Sequence, residues 1–347
     1  MTPAPLRILL VSQFWPGEDD PDLGVFVAQV VEELERRGHT VDRAVVAKRG
    51  AGRAGDAALL RDAVRLAVTR KPDVIFAHFL VPAGLAAALA SLPRRTPLVA
   101  MAHGQDVRNA VASGAVRRAT AFVLRRAHTT IFNSAYLRDQ LPLRPARSEV
   151  IDCGVDLDAF TPQDRAAARA ALGLADAPGP VFLFAGSLIE RKNVVRLRDA
   201  FAAFGRGTLV CVGDGPLRGE LEGVPNVVLR GRVPHAEIPR HMAAADALVL
   251  PSTEEPLGQV VLEAMASGRS VVATTVGGPA EFVTPAAGAL VDPLDVAGIR
   301  AGLEHAAALP TPNLAAREAA AAHALPRQVA RMERVLRAAA TGDARRR

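Results

Sequence analysis

Two glutamates, Glu255 and Glu263, flank a glycine in the stretch 245–268, ADALVLPSTEEPLGQVVLEAMASG. An ionised carboxylate only accepts hydrogen bonds, and beside a phosphate it repels, so its natural partners are hydroxyls, which sugars supply. The glycine does the opposite work. Backbone amides at Gly258, Gln259 and Val260, opening a helix, attract an anion. Further cations stand at Arg191 and Lys192, five and six positions after Gly186, the one a planar fork and the other a point charge, and both suit a diphosphate. His103, in the run His103-Gly104-Gln105-Asp106, can donate or accept a hydrogen bond. Each feature also has a plain structural reading: a solvated helix face for the glutamates, a surface pair for the cations, a satisfied strand-end residue for the histidine.

For these groups to converge, the chain must bring them to strand ends. The apolar run 247–250 is bounded by Pro251 and Ser252, and Val260, Val261, Ala264 and Met265 then recur at helical spacing, which predicts strand, loop and helix. In open α/β sheets, ligands lie outside the carboxyl ends of the strands. The chain opens as a βαβ unit: a buried strand over 6–14, an amphipathic helix over 24–37 stopped by Gly38, and a strand from Val41. Gly24, at the entry to that helix, serves either the close approach of a ligand or a tight turn. Further strands are expected at 73–79, 98–103, 129–133 and 149–152, with Ala- and Arg-rich helices between them. After a helix over 165–173 and a Pro178-Gly179-Pro180 break, the pattern restarts. Strands follow at 181–185 and 270–273, two more end in the segments 212–216 and 229–233, and helices are expected at 296–308 and 326–340. Such alternation predicts an α/β protein of two doubly wound domains.

The string P-S-x-x-E-x-x-G-x-x-x-L-E-A-M-A-x-G, from Pro251 to Gly268, closely resembles the donor-site signature of the family 4 retaining glycosyltransferases of the GT-B fold. Gly186 to Asn193 resembles the same family's G-x-L-x-x-x-K-N motif, and Gly154-Val155-Asp156 with Phe160 and Pro162 resembles its segment joining the domains. The resemblance implies two Rossmann-like domains facing a cleft: 1–163 on the acceptor side, with a terminal helix of about 326–347 packing back on it, and 164–325 for the donor. It implies three catalytic positions, His103 near the transferred sugar, Glu255 on that sugar's hydroxyls and Lys192 on the diphosphate. Donor contacts are implied at Gly24, Gly186, Arg191, Arg232, Gly258, Gln259, Val260 and Glu263, with Glu263 on the ribose and the backbone at Arg232 near the base. Asp106 is the implied acceptor contact. Ser187 stands where the family frequently has arginine, and Arg191 is the available substitute. No metal and no cofactor are implied. The co-substrate is a nucleotide-diphosphate sugar, with UDP-sugar the donor expected, and Asp156-Leu157-Asp158 reads as linker hydrogen bonding rather than a metal site.

The whole chain agrees with an enzyme of this class. Its 347 residues exceed one ordinary domain, and half are apolar. The formal net charge of +6 includes Arg345, Arg346 and Arg347, and over 94–138 eight arginines face a single acid, Asp106. No aromatic interleaving or zinc spacing accompanies them, so nucleic acid is not an expected partner. A solvated helix face is the first reading of Arg117, Arg118, Arg125 and Arg126, with weak contact to an anionic membrane as its alternative. The start, MTPAPLRILLVSQF, lacks the pattern of a secretory leader, and the apolar stretch 74–92 is interrupted by His78, Pro82 and Gly84. Two distant cysteines, Cys153 and Cys211, fit a reducing cytoplasm. A small soluble acceptor is expected ahead of a glycolipid or polysaccharide of the cell envelope, and a catalytically silent nucleotide-sugar binding protein is the rival from another class. Nothing in the sequence fixes the oligomeric state.

Overall fold

The computed structural model describes residues 4–342; the terminal arginines counted above lie outside the described residues. The chain divides into two units, Met1–Gly154 with Leu325–Arg347, and Val155–Ala324. The first is built from β1 (Arg7–Ser12), α1 (Val25–Arg36), β2 (Thr40–Val45), α2 (Gly52–Arg70), β3 (Val74–His78), α3 (Leu85–Ala90), β4 (Leu98–Ala102), α4 (Gln105–Ala112), α5 (Gly114–Arg126), β5 (Thr129–Phe132), α6 (Ala135–Gln140) and β6 (Ser148–Val150). The second runs through α7 (Arg165–Ala171), β7 (Val181–Ala185), α8 (Val194–Phe204), β8 (Thr208–Val212), β9 (Val227–Gly231), α9 (Ile238–Ala244), β10 (Ala247–Leu250), α10 (Gln259–Ala266), β11 (Ser270–Thr274), β12 (Gly288–Val291), α11 (Val296–Ala308) and α12 (Leu314–Ala321). The chain then returns to the first unit through α13 (Leu325–Thr341).

Both sheets are parallel and six-stranded, in the orders β2-β1-β3-β4-β5-β6 and β12-β11-β10-β7-β8-β9. The expected doubly wound α/β architecture is therefore present twice. β3 and β4 are buried at every position, as strands covered on both faces must be. Their alternation sorts the first core into two faces. Leu9, Ile75, Ala77 and Ala100 meet α2 and α3, whereas Ile8, Phe76, Val99, Met101 and Ile131 meet α13. That helix can cover them because Leu325, Val329, Met332, Leu336 and Ala339 repeat at helical spacing and form one apolar stripe.

The orders differ where it matters for a site. Strand order reverses between β1 and β3 in the first sheet and between β7 and β10 in the second, so a ligand crevice opens at different places in the two chain orders.

Three expectations need correction. Residues 155–163 belong to the second unit: Val155 pairs with Ala324 in a bridge, and Phe160 is 1% exposed within that unit's core. β12 and α12 were not foreseen. Gly288 leaves the room β12 needs, because a Cβ there would stand 1.9 Å from Val271 O, while α12 is alanine-rich and shows little patterning. The four arginines of α5 do not share a face either. Arg117, Arg118 and Arg125 are exposed, but Arg126 is half-buried and donates through Nη2 to Ser91 O and Thr96 O at 3.4 and 3.3 Å.

Candidate functional site

In the second unit, glycines and one asparagine bring the strand-end loops together. Gly186 leaves β7 with φ +154° and donates to Val212 O at the end of β8. Asn193 closes the following turn at φ 60°, a left-handed conformation that asparagine tolerates better than most residues. Its buried amide donates to Pro251 O at 2.9 Å and Pro293 O at 2.6 Å, tying the β7 loop to the loops after β10 and β12. Thr253 N adds a 2.9 Å bond to Arg191 O. Glu255 is held by its own backbone: its N–H donates to Val276 O, its carbonyl accepts from Gly278 N, and it bridges Gly277. A Cβ on Gly277 would lie 1.9 Å from Glu255 O, so only glycine fits.

This scaffold places the predicted cations and carboxylate in contact. Lys192 Nζ donates to Glu255 Oε2 at 2.5 Å, Ser252 Oγ donates to the same oxygen at 3.0 Å, and Arg191 Nη1 lies 3.8 Å from it while donating to Glu254 O at 3.0 Å. The side chains of Lys192 and Glu255 are 13% and 10% exposed, so the pair is weakly screened. Two residues after Pro256, Gly258 starts α10 at φ +86° with no side-chain cap, and a Cβ there would press on Pro279 Cγ at 3.0 Å. A helix start without a side-chain cap attracts an anion. Gln259 and Val260 follow, half-buried. Glu263, one more turn along, is 7% exposed and lies with Oε1 3.5 Å from His235 Nε2. His235 was not foreseen as a site residue; it sits three positions past Arg232, which is exposed beyond the end of β9. Asp156 spends Oδ1 on the amides of Asp158 and Ala159, the linker role expected of it.

In the first unit the strand ends carry aromatic rings and neutral histidines. Gly24 caps α1 at φ 72°, and a Cβ there would stand 2.7 Å from the carbonyl carbon and oxygen of Phe14, so the tight-turn reading accounts for it. His103 follows β4. Phe79 packs on its ring with centroids 4.4 Å apart, Phe26 at 5.1 Å, and Phe14 meets Phe79 at 4.9 Å. Phe79 holds φ 76°, a conformation that is a genuine outlier for a bulky residue and that clusters at functional sites. Burial, with His78 beside it, pushes the His103 imidazole well below its ordinary pKa, so it is neutral.

The expectation that Asp106 contacts an acceptor is corrected. It is 1% exposed, and its oxygens accept from the amides of Leu80, His103, Gly104 and Val107 at 2.8–3.1 Å, with a longer second contact to His103. Burial raises its pKa and those amides pull it back, so Asp106 fixes the His103 loop from inside. Asn133 Nδ2 supports the same loop by donating to His103 O at 3.3 Å. His78, Asn133, Ser252 and Asn193 were missed as site residues because each acts through another residue, and their sequence context is merely apolar or turn-like. A cavity of about 630 Å³ lies elsewhere in this unit, lined by His128, Arg147 and Arg331 among others, away from the loops after β1, β3 and β4.

Comparison with known proteins bears on the family and the fold. Residues 179–308 match the family model described as glycosyl transferases group 1, and residues 23–159 match the one described as Glycosyltransferase Family 4. The chain is similar to D-inositol 3-phosphate glycosyltransferase 1 of Catenulispora acidiphila, 32% identical over 287 residues, with 68% of each chain covered. It is also 32% identical over 216 residues to TuaC of Bacillus subtilis, named for teichuronic acid biosynthesis; 60% of this chain is covered, and it spans only 54% of that relative. A GDP-mannose-dependent monoacylated alpha-(1-6)-phosphatidylinositol monomannoside mannosyltransferase of Corynebacterium glutamicum is 30% identical, with 65% of each chain covered. Among solved structures, sucrose-phosphate synthase from Thermosynechococcus elongatus superposes with TM-score 0.76 at 22% identity, covering 96% of this chain and 98% of that one. Anabaena HepE in complex with UDP-glucose gives 0.75 at 23%, covering 95% and 100%.

Proposed function

This chain belongs to the family 4, group 1 glycosyltransferases, and from that premise we propose that it moves a sugar, with retention and without metal, from a nucleotide-diphosphate donor to an acceptor hydroxyl. The observation that carries the reading is the contact of Lys192 with Glu255 beside the uncapped start of α10, at the point where the second sheet's strand order reverses. In the reaction the bond between the anomeric carbon and the phosphate oxygen breaks and its electron pair stays on the diphosphate. The acceptor oxygen bonds to the same face of the sugar, and its proton passes to a leaving phosphate oxygen. Lys192, Arg191 and the amides after Gly258 stabilise the charge that develops, an effect worth roughly 10²–10³ in rate for one well-placed donor. Glu255, released from Lys192 as the diphosphate takes that cation, accepts from hydroxyls of the transferred sugar. Glu263, with His235 beside it, accepts from the ribose. His103 donates to the transferred sugar.

A UDP-sugar is the donor proposed, supported by the likeness to a fold that HepE uses to hold UDP-glucose. A small soluble acceptor remains the preferred class, supported by the relative named for D-inositol 3-phosphate; the exposed Arg117, Arg118 and Arg125 and the relatives named for phosphatidylinositol mannoside and teichuronic acid favour an acceptor at the membrane surface as the second reading. No helix among the described residues is long and apolar enough to cross a membrane. The test is release of nucleoside diphosphate from UDP-, GDP-, TDP- and ADP-sugars, with and without acceptor and chelator, and the anomeric configuration of the product by NMR. Turnover that survives chelator and yields the donor's anomer is the expected result. Activity lost in chelator and restored by Mg²⁺, or an inverted product, sinks the mechanism.

A further inference from the structure

Directly behind His103 lies a second histidine that none of the reaction steps above employs. His78 ends β3, is fully buried, and pairs in register with Met101 of the neighbouring β4. Its Nδ1 lies 3.1 Å from His103 Nε2, and the two rings are inclined by only 22° with centroids 5.1 Å apart. Burial pushes His78 down to about 3, and it also lowers His103, so each ring carries one proton at neutral pH. One ring must therefore donate to the other. The choice decides which nitrogen of His103 bears its proton.

The buried nitrogen of His78 distinguishes the alternatives. His78 Nε2 is buried with no hydrogen-bond partner. If His103 donated, the His78 proton would sit on that nitrogen and bury an orphan N–H, the rarer and dearer fault; a bare lone pair is the better tolerated one. On the far side, His103 Nδ1 faces Cys153 Sγ at 4.0 Å. Burial, with Asp152, pushes that thiol upward, so it stays protonated and offers Nδ1 only a weak partner, as donor or acceptor, at the limit of reach. Nδ1 is thus the nitrogen without a strong partner of its own.

We propose that His78 is a positioning residue: it donates Nδ1–H to His103 Nε2, locks His103 in the Nδ1–H tautomer, and so dedicates Nδ1–H to a hydroxyl oxygen of the bound sugar. The rest of the surroundings serve the same end. Asp106 and Asn133 hold the backbone of His103, and Phe26 and Phe79 fix its ring plane. A histidine free to change tautomer would present a donor only part of the time.

The inference rests on the glycosyltransferase reading for the identity of the hydroxyl, but not for the tautomer. The test is long-range ¹H–¹⁵N correlation on ¹⁵N-histidine-labelled, ligand-free full chain. The expected spectrum has His103 Nδ1 protonated and Nε2 bare, and the reverse assignment overturns the proposal whatever the enzyme transfers. His78→Asn keeps an N–H at the position of Nδ1, and should retain the tautomer and most of the turnover. His78→Leu should give a mixed tautomer and lower kcat about 10–100-fold, as loss of an orienting partner does elsewhere, with nucleotide affinity unchanged. An unchanged His103 spectrum in His78→Leu also overturns it. Should that variant fail to fold, the wild-type spectrum still decides the direction of donation.

Discussion

The two units use one sheet design and fill its crevice with opposite chemistry. At the strand-order reversal of the second, a lysine, an arginine and a glutamate converge on one another over glycines too tightly packed to be anything else. At that of the first, neutral histidines lie among phenylalanines, and the carboxylate of Asp106 is turned inward to amides. The difference teaches where charge is needed. Fixed cations stabilise a leaving anion, whereas a hydroxyl calls for an oriented neutral donor, which costs less to bury.

The sharpest way to break this contrast is to remove the cation. Lys192→Ala should lower turnover about 10²–10³-fold with the chain still folded, since on the proposed mechanism it deletes a donor to the departing phosphate. A loss under tenfold would mean that the charged cluster is structural and that the comparison misassigns it. Next comes the scaffold. Gly277→Ala must place a Cβ against Glu255 O at φ +134°, and should cost about 2–4 kcal/mol in urea unfolding of the second unit. Gly38→Ala, at φ +93° with nothing within 4 Å, carries the left-handed penalty alone and should cost about 1 kcal/mol. Equal costs would show that the crowding at Glu255 relaxes freely.

A third experiment moves to the first unit and to Glu333, which lies between Arg37 and Arg337. Burial raises Glu333, but hydrogen bonds and charges of Arg37 and Arg337 outweigh it and hold the carboxyl at about 2. A folded-state value below the unfolded 4.5 stabilises fully above about 4.5, and that contribution is lost as pH falls through about 2. Glu333→Gln should therefore cost about 2 kcal/mol at pH 7, with the gap to wild type closing toward pH 2. A gap independent of pH would assign the loss to packing. The smallest effect is expected at α5: Arg117→Glu, Arg118→Glu and Arg125→Glu together should leave turnover and the absence of vesicle co-sedimentation at physiological salt unchanged. Wild-type co-sedimentation abolished by these changes would move the acceptor to the membrane surface.

Much of this was legible in the sequence because buried parallel strands announce themselves. The runs VFLFA and ALVL are apolar throughout and end at glycine or proline, so β7 and β10 fall where expected, and Lys192 and Glu255 follow from them. The fate of Asp106 was not legible: beside the amides of its own loop it accepts from Leu80 in the loop after β3, a contact no local pattern records. Nor was the unit boundary, since Val155 and Phe160 reveal their allegiance only through Ala324 and the core they enter. His78 looks like one more strand residue until its neighbour across the sheet is known.

The return of α13 to the first unit has a consequence for synthesis. Its stripe covers Ile8, Phe76, Val99, Met101 and Ile131, residues made long before Thr341 leaves the ribosome. At about 5–20 residues per second, that apolar sheet face waits roughly ten seconds or more for its cover, while the whole of Val155–Ala324 is made in between. The later-encoded unit is thus complete first, and the earlier one spends that interval as a client for whatever shields nascent hydrophobic surface.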